Sequence, residues 1–163
     1  MSWCSRRSAW GALLVVALAA GGAGAAAAQL PRREVQVMAL GSASDPAAGL
    51  AGAGLNWRDR GRTRIGVAAL AGAAEGGRAA GRAELVWHFQ LDPGRRRGWA
   101  VYGGGGIAAT VVERGHVRPW VQGVVGAETR PGAASGVFVE AGFGGGLRLA
   151  AGWRWRKQNA PGR

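Results

Sequence analysis

The stretch Leu147-Arg148-Leu149-Ala150-Ala151-Gly152-Trp153-Arg154-Trp155-Arg156 alternates without interruption. Side chains along a strand point to its two faces in turn. Read that way, Leu147, Leu149, Ala151, Trp153 and Trp155 share one face, and Arg148, Ala150, Gly152, Arg154 and Arg156 share the other. Five apolar residues on one side and three arginines on the other must separate two very different environments. No 3.6-residue periodicity competes with this reading.

The pattern recurs upstream from Glu34. Val35, Val37 and Ala39 oppose Glu34, Gln36 and Met38; Ala51, Ala53, Leu55 and Trp57 oppose Gly52, Gly54, Asn56 and Arg58. Ile65, Val67, Ala69 and Ala71 oppose Arg64, Gly66, Ala68 and Leu70; Ala83, Leu85, Trp87 and Phe89 oppose Arg82, Glu84, Val86 and His88. Trp99, Val101, Ile107 and Ala109 oppose Tyr102, Ala108 and Thr110. Val117, Val121, Val125 and Ala127 oppose Gln122, Val124, Glu128 and Arg130, and Val137, Val139, Ala141 and Phe143 oppose Phe138, Glu140 and Gly142. Turn signals separate the segments at Ser42–Gly49, Asp59–Arg62, Glu75–Gly81, Asp92–Gly98, Gly115–His116, Pro131–Ser135 and Gly144–Gly146. This predicts an all-β chain of eight strands with no interdomain linker.

A soluble barrel buries its apolar face, whereas a membrane barrel turns that face outward to lipid and keeps a polar interior. Three features favour the second. The polar face carries Glu34, Glu84, Glu128 and Glu140 with Arg58, Arg64, Arg82, Arg148 and Arg154, among many glycines and alanines. A narrow eight-stranded interior has room for little else, and buried charges there must pair, so these residues form a candidate interior ion network. Secondly, with both chain ends on the periplasmic side, Trp57, Trp87, Phe89, Trp99, Trp153 and Trp155 all fall on the apolar face near one rim. That is the arrangement of an interfacial aromatic girdle. At the other rim Phe143 is the only large aromatic on this face, and Trp120 points inward by alternation. Thirdly, Arg58, Arg60, Arg62, Arg95, Arg96, Arg97, Arg130, Arg154, Arg156 and Lys157 cluster beside the tryptophan-rich rim, where anionic headgroups would attract them.

The N-terminal segment reads as a secretory signal: Arg6 and Arg7, an apolar core from Trp10 to Ala20, then Ala26-Ala27-Ala28 before the expected cut. The organisation expected is a signal peptide over 1–28, a barrel over 29–157 and a tail over 158–163. Cys4, the one cysteine, lies ahead of the apolar core, so neither a disulfide nor a lipoprotein attachment is expected. The 163 residues hold 21 Lys+Arg and 9 Asp+Glu, a net +12; losing Arg6 and Arg7 gives 19 − 9 = +10. Such charge invites a nucleic-acid reading, but aromatics and arginines lie on opposite faces of the strand instead of together. Gly103 to Ala108 formally matches a dinucleotide loop, yet no helix follows to meet a pyrophosphate. His88 and His116 fall at opposite ends and cannot share a metal. No cofactor or metal is expected.

Residues 33–157 resemble, in pattern, the small eight-stranded outer-membrane barrels of Gram-negative bacteria, the class of outer-membrane proteins A and X. The segment Leu147–Arg156 is similar to the closing strand by which such barrels are recognised for insertion, although their usual ending is an aromatic and here residues follow Trp155. The resemblance implies an antiparallel up-and-down transmembrane barrel of the envelope, with outer-membrane lipids and the barrel-assembly machinery as partners and a structural or surface-interaction role without catalysis. Two alternatives stay open. One is a lipid-modifying enzyme using His116 with Ser42 or Ser44; the other is a soluble periplasmic barrel for an apolar ligand, which needs Trp153 and Trp155 to point inward.

Overall fold

A computed structural model describes residues 32–157, apart from 59–62, 93, 94, 96 and 114. The expected signal segment 1–28 and tail 158–163 lie outside the described residues, as do Arg60, Arg62 and Arg96. Eight strands follow in order: β1 (Arg32–Ala43), β2 (Ala48–Arg58), β3 (Thr63–Ala74), β4 (Arg78–Gln90), β5 (Trp99–Val112), β6 (Arg118–Thr129), β7 (Ser135–Phe143) and β8 (Leu147–Arg156). Each pairs antiparallel with its sequence neighbour. β1 and β8 close the barrel from Glu34↔Arg156 to Ala43↔Leu147. Closure removes both free edges, so no row of N–H and C=O groups is left open at the sides.

Both described chain ends lie at one rim, called here the near rim, with the connections after β2, β4 and β6. The connections after β1, β3, β5 and β7 form the far rim. Two turns are shorter than the sequence predicts. Gly41 pairs with Gly49 and Ser42 with Ala48 in the β1–β2 ladder, and β4 already begins at Arg78. Glycine reads as a turn residue, but inside a tight barrel it serves the ladder by letting strands approach. Gly104 and Gly106, on the inner face of β5, show this: a Cβ there would collide with the backbone of Trp87 and of Leu85. Gly106→Ala is therefore expected to lower stability by roughly 1–3 kcal/mol, read from the urea midpoint of the protein folded in lipid vesicles. An unchanged midpoint would mean that β4 and β5 can part freely.

Polarity follows alternation and is inverted. Val35, Leu55, Ile65, Leu85, Trp87, Val101, Ile107, Val125 and Leu149 are exposed, and Val121 reaches 78 %. Arg64, Arg148, Arg154, Glu34, Glu128, Asn56 and Gln122 are wholly buried. The lumen is not polar throughout. Met38, Leu40, Leu50 and Leu70, running toward the far rim from Phe138 at mid-lumen, form an apolar cluster that the sequence pattern had merged with the charged face.

Candidate functional site

Four glutamates organise the lumen. Glu128, on β6, is the hub and is 0 % exposed. Its Oε1 accepts from Arg58 Nη2 at 2.8 Å; its Oε2 accepts from Arg64 Nη1 at 3.0 Å, from Arg156 Nη2 at 3.0 Å and from Arg154 Nη1. Glu34, on β1, faces the same group, with its Oε1 3.1 Å from Arg58 Nε and 3.3 Å from Arg156 Nε. A second cluster lies toward the far rim. There Glu84 accepts from Arg82 Nε at 2.7 Å and Arg148 Nη2 at 3.3 Å, and the same Arg148 nitrogen is 3.4 Å from Glu140. Arg154 Nη2, 4.0 Å from Glu140 Oε1, links the two.

All nine residues expected in the interior network thus sit in these two clusters. Arg156 was expected to face headgroups at the rim, as were Arg58 and Arg154. The structure corrects this: Arg154 and Arg156 are buried and Arg58 is only 18 % exposed, because the two carboxylates Glu34 and Glu128 lie directly inward of them. Arg95, Arg97, Arg130 and Lys157 remain exposed at the near rim.

Neutral residues that alternation had left without a role complete the packing. Gln36 Oε1 accepts from Arg154 Nη2 at 2.9 Å and from Asn56 Nδ2 at 3.0 Å. Arg64 Nε and Nη2 have no oxygen acceptor; the ring face of Tyr102, 4.6 Å from the guanidinium carbon, takes that place. Tyr102 donates its hydroxyl to Glu140 Oε1 at 2.9 Å, and the buried His88 meets the ring edge-on at 5.2 Å. Tyr102→Phe removes a bond to a charged acceptor, for which a loss of roughly 1.5–3 kcal/mol is expected. Chemical unfolding from vesicles reads it, and a midpoint equal to wild type would show that Glu140 is satisfied without the phenol.

Among the described residues the arrangement fills the barrel with paired charges. Each carboxylate is ringed by guanidinium groups, and Glu128 and Glu140 occupy different clusters. Among the described residues no group of three or more His, Cys, Asp and Glu side chains could hold a metal. At the far rim Ser42 Oγ donates to Ser44 Oγ at 3.1 Å and Ser44 Oγ to the Pro46 carbonyl at 2.8 Å, while His116 is exposed. On the outside, Trp87, Phe89, Trp99, Trp153 and Trp155 are exposed near the near rim, and Trp57 is half-buried there. Trp87 and Phe89 stack with ring centroids 6.1 Å apart. Because Trp153 and Trp155 point outward, the reading as a soluble barrel around an apolar ligand, which required them inside, does not hold.

No family model matches the chain, and no curated protein matches its sequence. Solved structures do match in fold. The N-terminal β-barrel domain of Pseudomonas aeruginosa OprF aligns over 79 % of this chain and 100 % of its own length, with a TM-score of 0.61 at 11 % identity. Neisserial surface protein A aligns over 76 % and 95 %, with a TM-score of 0.56 at 10 % identity. The designed protein TMB2.3 aligns over 82 % and 100 %, with a TM-score of 0.54 at 16 % identity. The chain therefore has the closed eight-stranded antiparallel up-and-down fold of outer-membrane β-barrels. The likeness is one of architecture, carried by alternation and closure and not by shared side chains.

Proposed function

We propose that the chain is a non-enzymatic outer-membrane barrel with a structural or surface-interaction role in the Gram-negative envelope. The carrying observation is the inverted polarity: a wall of exposed Val, Leu, Ile and Trp around a lumen of buried Arg and Glu. A soluble protein rarely exposes a contiguous apolar patch above a few hundred Å², whereas lipid accepts such a surface. In this reading the lumen is a plug, because eight strands leave an interior that side chains fill. The six rim aromatics Trp57, Trp87, Phe89, Trp99, Trp153 and Trp155 sit at the periplasmic interface, and Arg95, Arg97, Arg130 and Lys157 meet anionic headgroups there. The partners are outer-membrane lipids and, during insertion, the barrel-assembly machinery; no cofactor and no nucleic acid takes part.

Fractionation of expressing cells tests this. The protein should appear in the outer membrane, with a gel mobility that changes on boiling, and should give no steady conductance in a planar bilayer. Recovery from the soluble periplasm would refute the membrane reading, and a resolved channel would refute the plugged lumen.

A further inference from the structure

Trp120 is the one described tryptophan that the outward aromatic belt does not use. Alternation along β6 turns it inward with Arg118 and Gln122. Half-buried, it lines a far-rim cavity of about 360 Å³, at the small end of the ~300–1,000 Å³ typical of ligand sites. The β7–β8 turn builds the wall of this cavity, and its three successive glycines each seat a different side. A Cβ at Gly144 would strike Gln122 and crowd the Arg82 guanidinium, one at Gly145 would strike the Trp120 indole, and one at Gly146 would strike the backbone of Ala43 and Ser44. Gly145 and Gly146 also hold φ of +81° and +139°, where a side chain is strained. One glycine turn thus fixes the indole, the floor and the end of β1 relative to one another. Leu50, which also lines the cavity, belongs to the apolar cluster that closes the lumen beneath it.

The polar lining is balanced in charge and carries hydroxyls. Arg82, at the floor, is fully engaged by the protein: Nε donates to Glu84 Oε1 at 2.7 Å, Nη1 to Thr110 Oγ1 and the Gly144 carbonyl at 3.1 Å each, and Nη2 to Gln122 Oε1 at 2.9 Å. The other lining charges are Arg78 and Arg118 against Asp45 and Glu113, 2 − 2 = 0. No excess of either sign therefore selects an ion. A hydroxyl has one proton to donate and two lone pairs to accept with. Ser42 Oγ donates to Ser44 Oγ at 3.1 Å and Ser44 Oγ to the Pro46 carbonyl at 2.8 Å, which leaves the lone pairs of Ser42 for a ligand. Thr110 Oγ1 accepts from Arg82, which leaves its proton. A flat indole beside one such acceptor and one such donor suits a ring that is apolar on its face and hydroxylated at its edge, and a sugar is that kind of ring.

We propose that this far-rim vestibule binds a neutral sugar, its ring against Trp120 and its hydroxyls on Ser42 and Thr110. Such binding needs only the mouth of the barrel, so it stands or falls apart from the membrane reading. The test is calorimetric titration of the full chain, folded in an amine-oxide detergent that carries no sugar of its own, with glucose, galactose, maltose and cellobiose. Glucose 6-phosphate, glucosamine and cyclohexanol serve as anionic, cationic and sparsely hydroxylated rings. Saturable binding of at least one neutral sugar is expected, about tenfold or more tighter than cyclohexanol, with neither charged ring binding more tightly than that sugar. Trp120→Ala and Thr110→Val should each weaken it by about tenfold. Val111→Ala, the outward neighbour of Thr110 on β5, should leave it unchanged. Heat-modifiable mobility reports the folding of each variant, and Thr110→Val, which keeps the side chain's size, carries the test if the Trp120 variant misfolds. Absence of saturable binding by all four neutral sugars, tighter binding of either charged ring, equal affinity for cyclohexanol, unchanged affinity in either folded vestibule variant, or an equal loss in Val111→Ala would overturn the proposal.

Discussion

Glu128→Gln is expected to destabilise the barrel by about 3–5 kcal/mol, the cost of stranding buried charge. The side chain keeps its size, so no cavity contributes. What changes is that Arg58, Arg64, Arg154 and Arg156 lose the carboxylate they share, and three of them are buried. Glu34 cannot replace it, because it already faces the same four guanidinium groups. Urea unfolding from phospholipid vesicles, followed by tryptophan fluorescence, measures the effect. Asp92→Asn supplies the contrast: its partner Arg95 lies 3.6 Å away, but both are more than half exposed, and such pairs contribute about 0–1 kcal/mol. If Glu128→Gln moved the midpoint no more than Asp92→Asn, the lumen would have to be well hydrated and the network merely decorative.

The wall was legible in the sequence because its signal is local. Trp153, Arg154 and Trp155 declare their faces through a period of two, whatever the rest of the chain does. The identity of the interior charges followed from the same rule, since residues facing away from lipid must face the lumen. Their pairing did not follow. Arg58 and Glu128 are 70 residues apart, and only closure of β1 onto β8 brings β2 and β6 across one lumen. Depth was equally hidden. Alternation assigns Arg156 a face but not a height, and at a strand end an arginine can reach out to headgroups or fold in toward Glu34. Uncharged inward residues such as Gln36 and Tyr102 carried no sequence signal that distinguished filler from hydrogen-bonding partner. The turn predicted at Ser42–Gly49 is shorter in the structure for a related reason: glycine marks both a reversal and a close approach, and only the ladder, in which Gly49 pairs with Gly41, tells which. The β6–β7 seam is a further example. It has six registered pairs against eleven between β1 and β2, because β7 ends at Phe143 while β6 reaches up to Arg118, a mismatch that no single strand reveals.

Leu85→Arg and Ile107→Arg should each cost roughly 2–4 kcal/mol in a bilayer, the range for a cation on the lipid face near the midplane. The two residues pair across β4 and β5, midway along both strands, and are 44 % and 57 % exposed. Removing their side chains from the surface forfeits little packing, so the cost falls on the charge and its medium. Leu149 and Val121 are as exposed but lie within four residues of the far ends of β8 and β6. There an arginine can reach the interface, and the cost should fall to about 0–1 kcal/mol. The difference between the two pairs is the informative quantity, because water has no midplane. Were the barrel's exterior solvated, all four arginines would behave alike, and substitution would improve solubility at every position. Unfolding midpoints in vesicles for the four single variants decide the matter: a depth-dependent penalty supports lipid around the wall, and a flat profile would mean that the apolar exterior meets a protein partner or water.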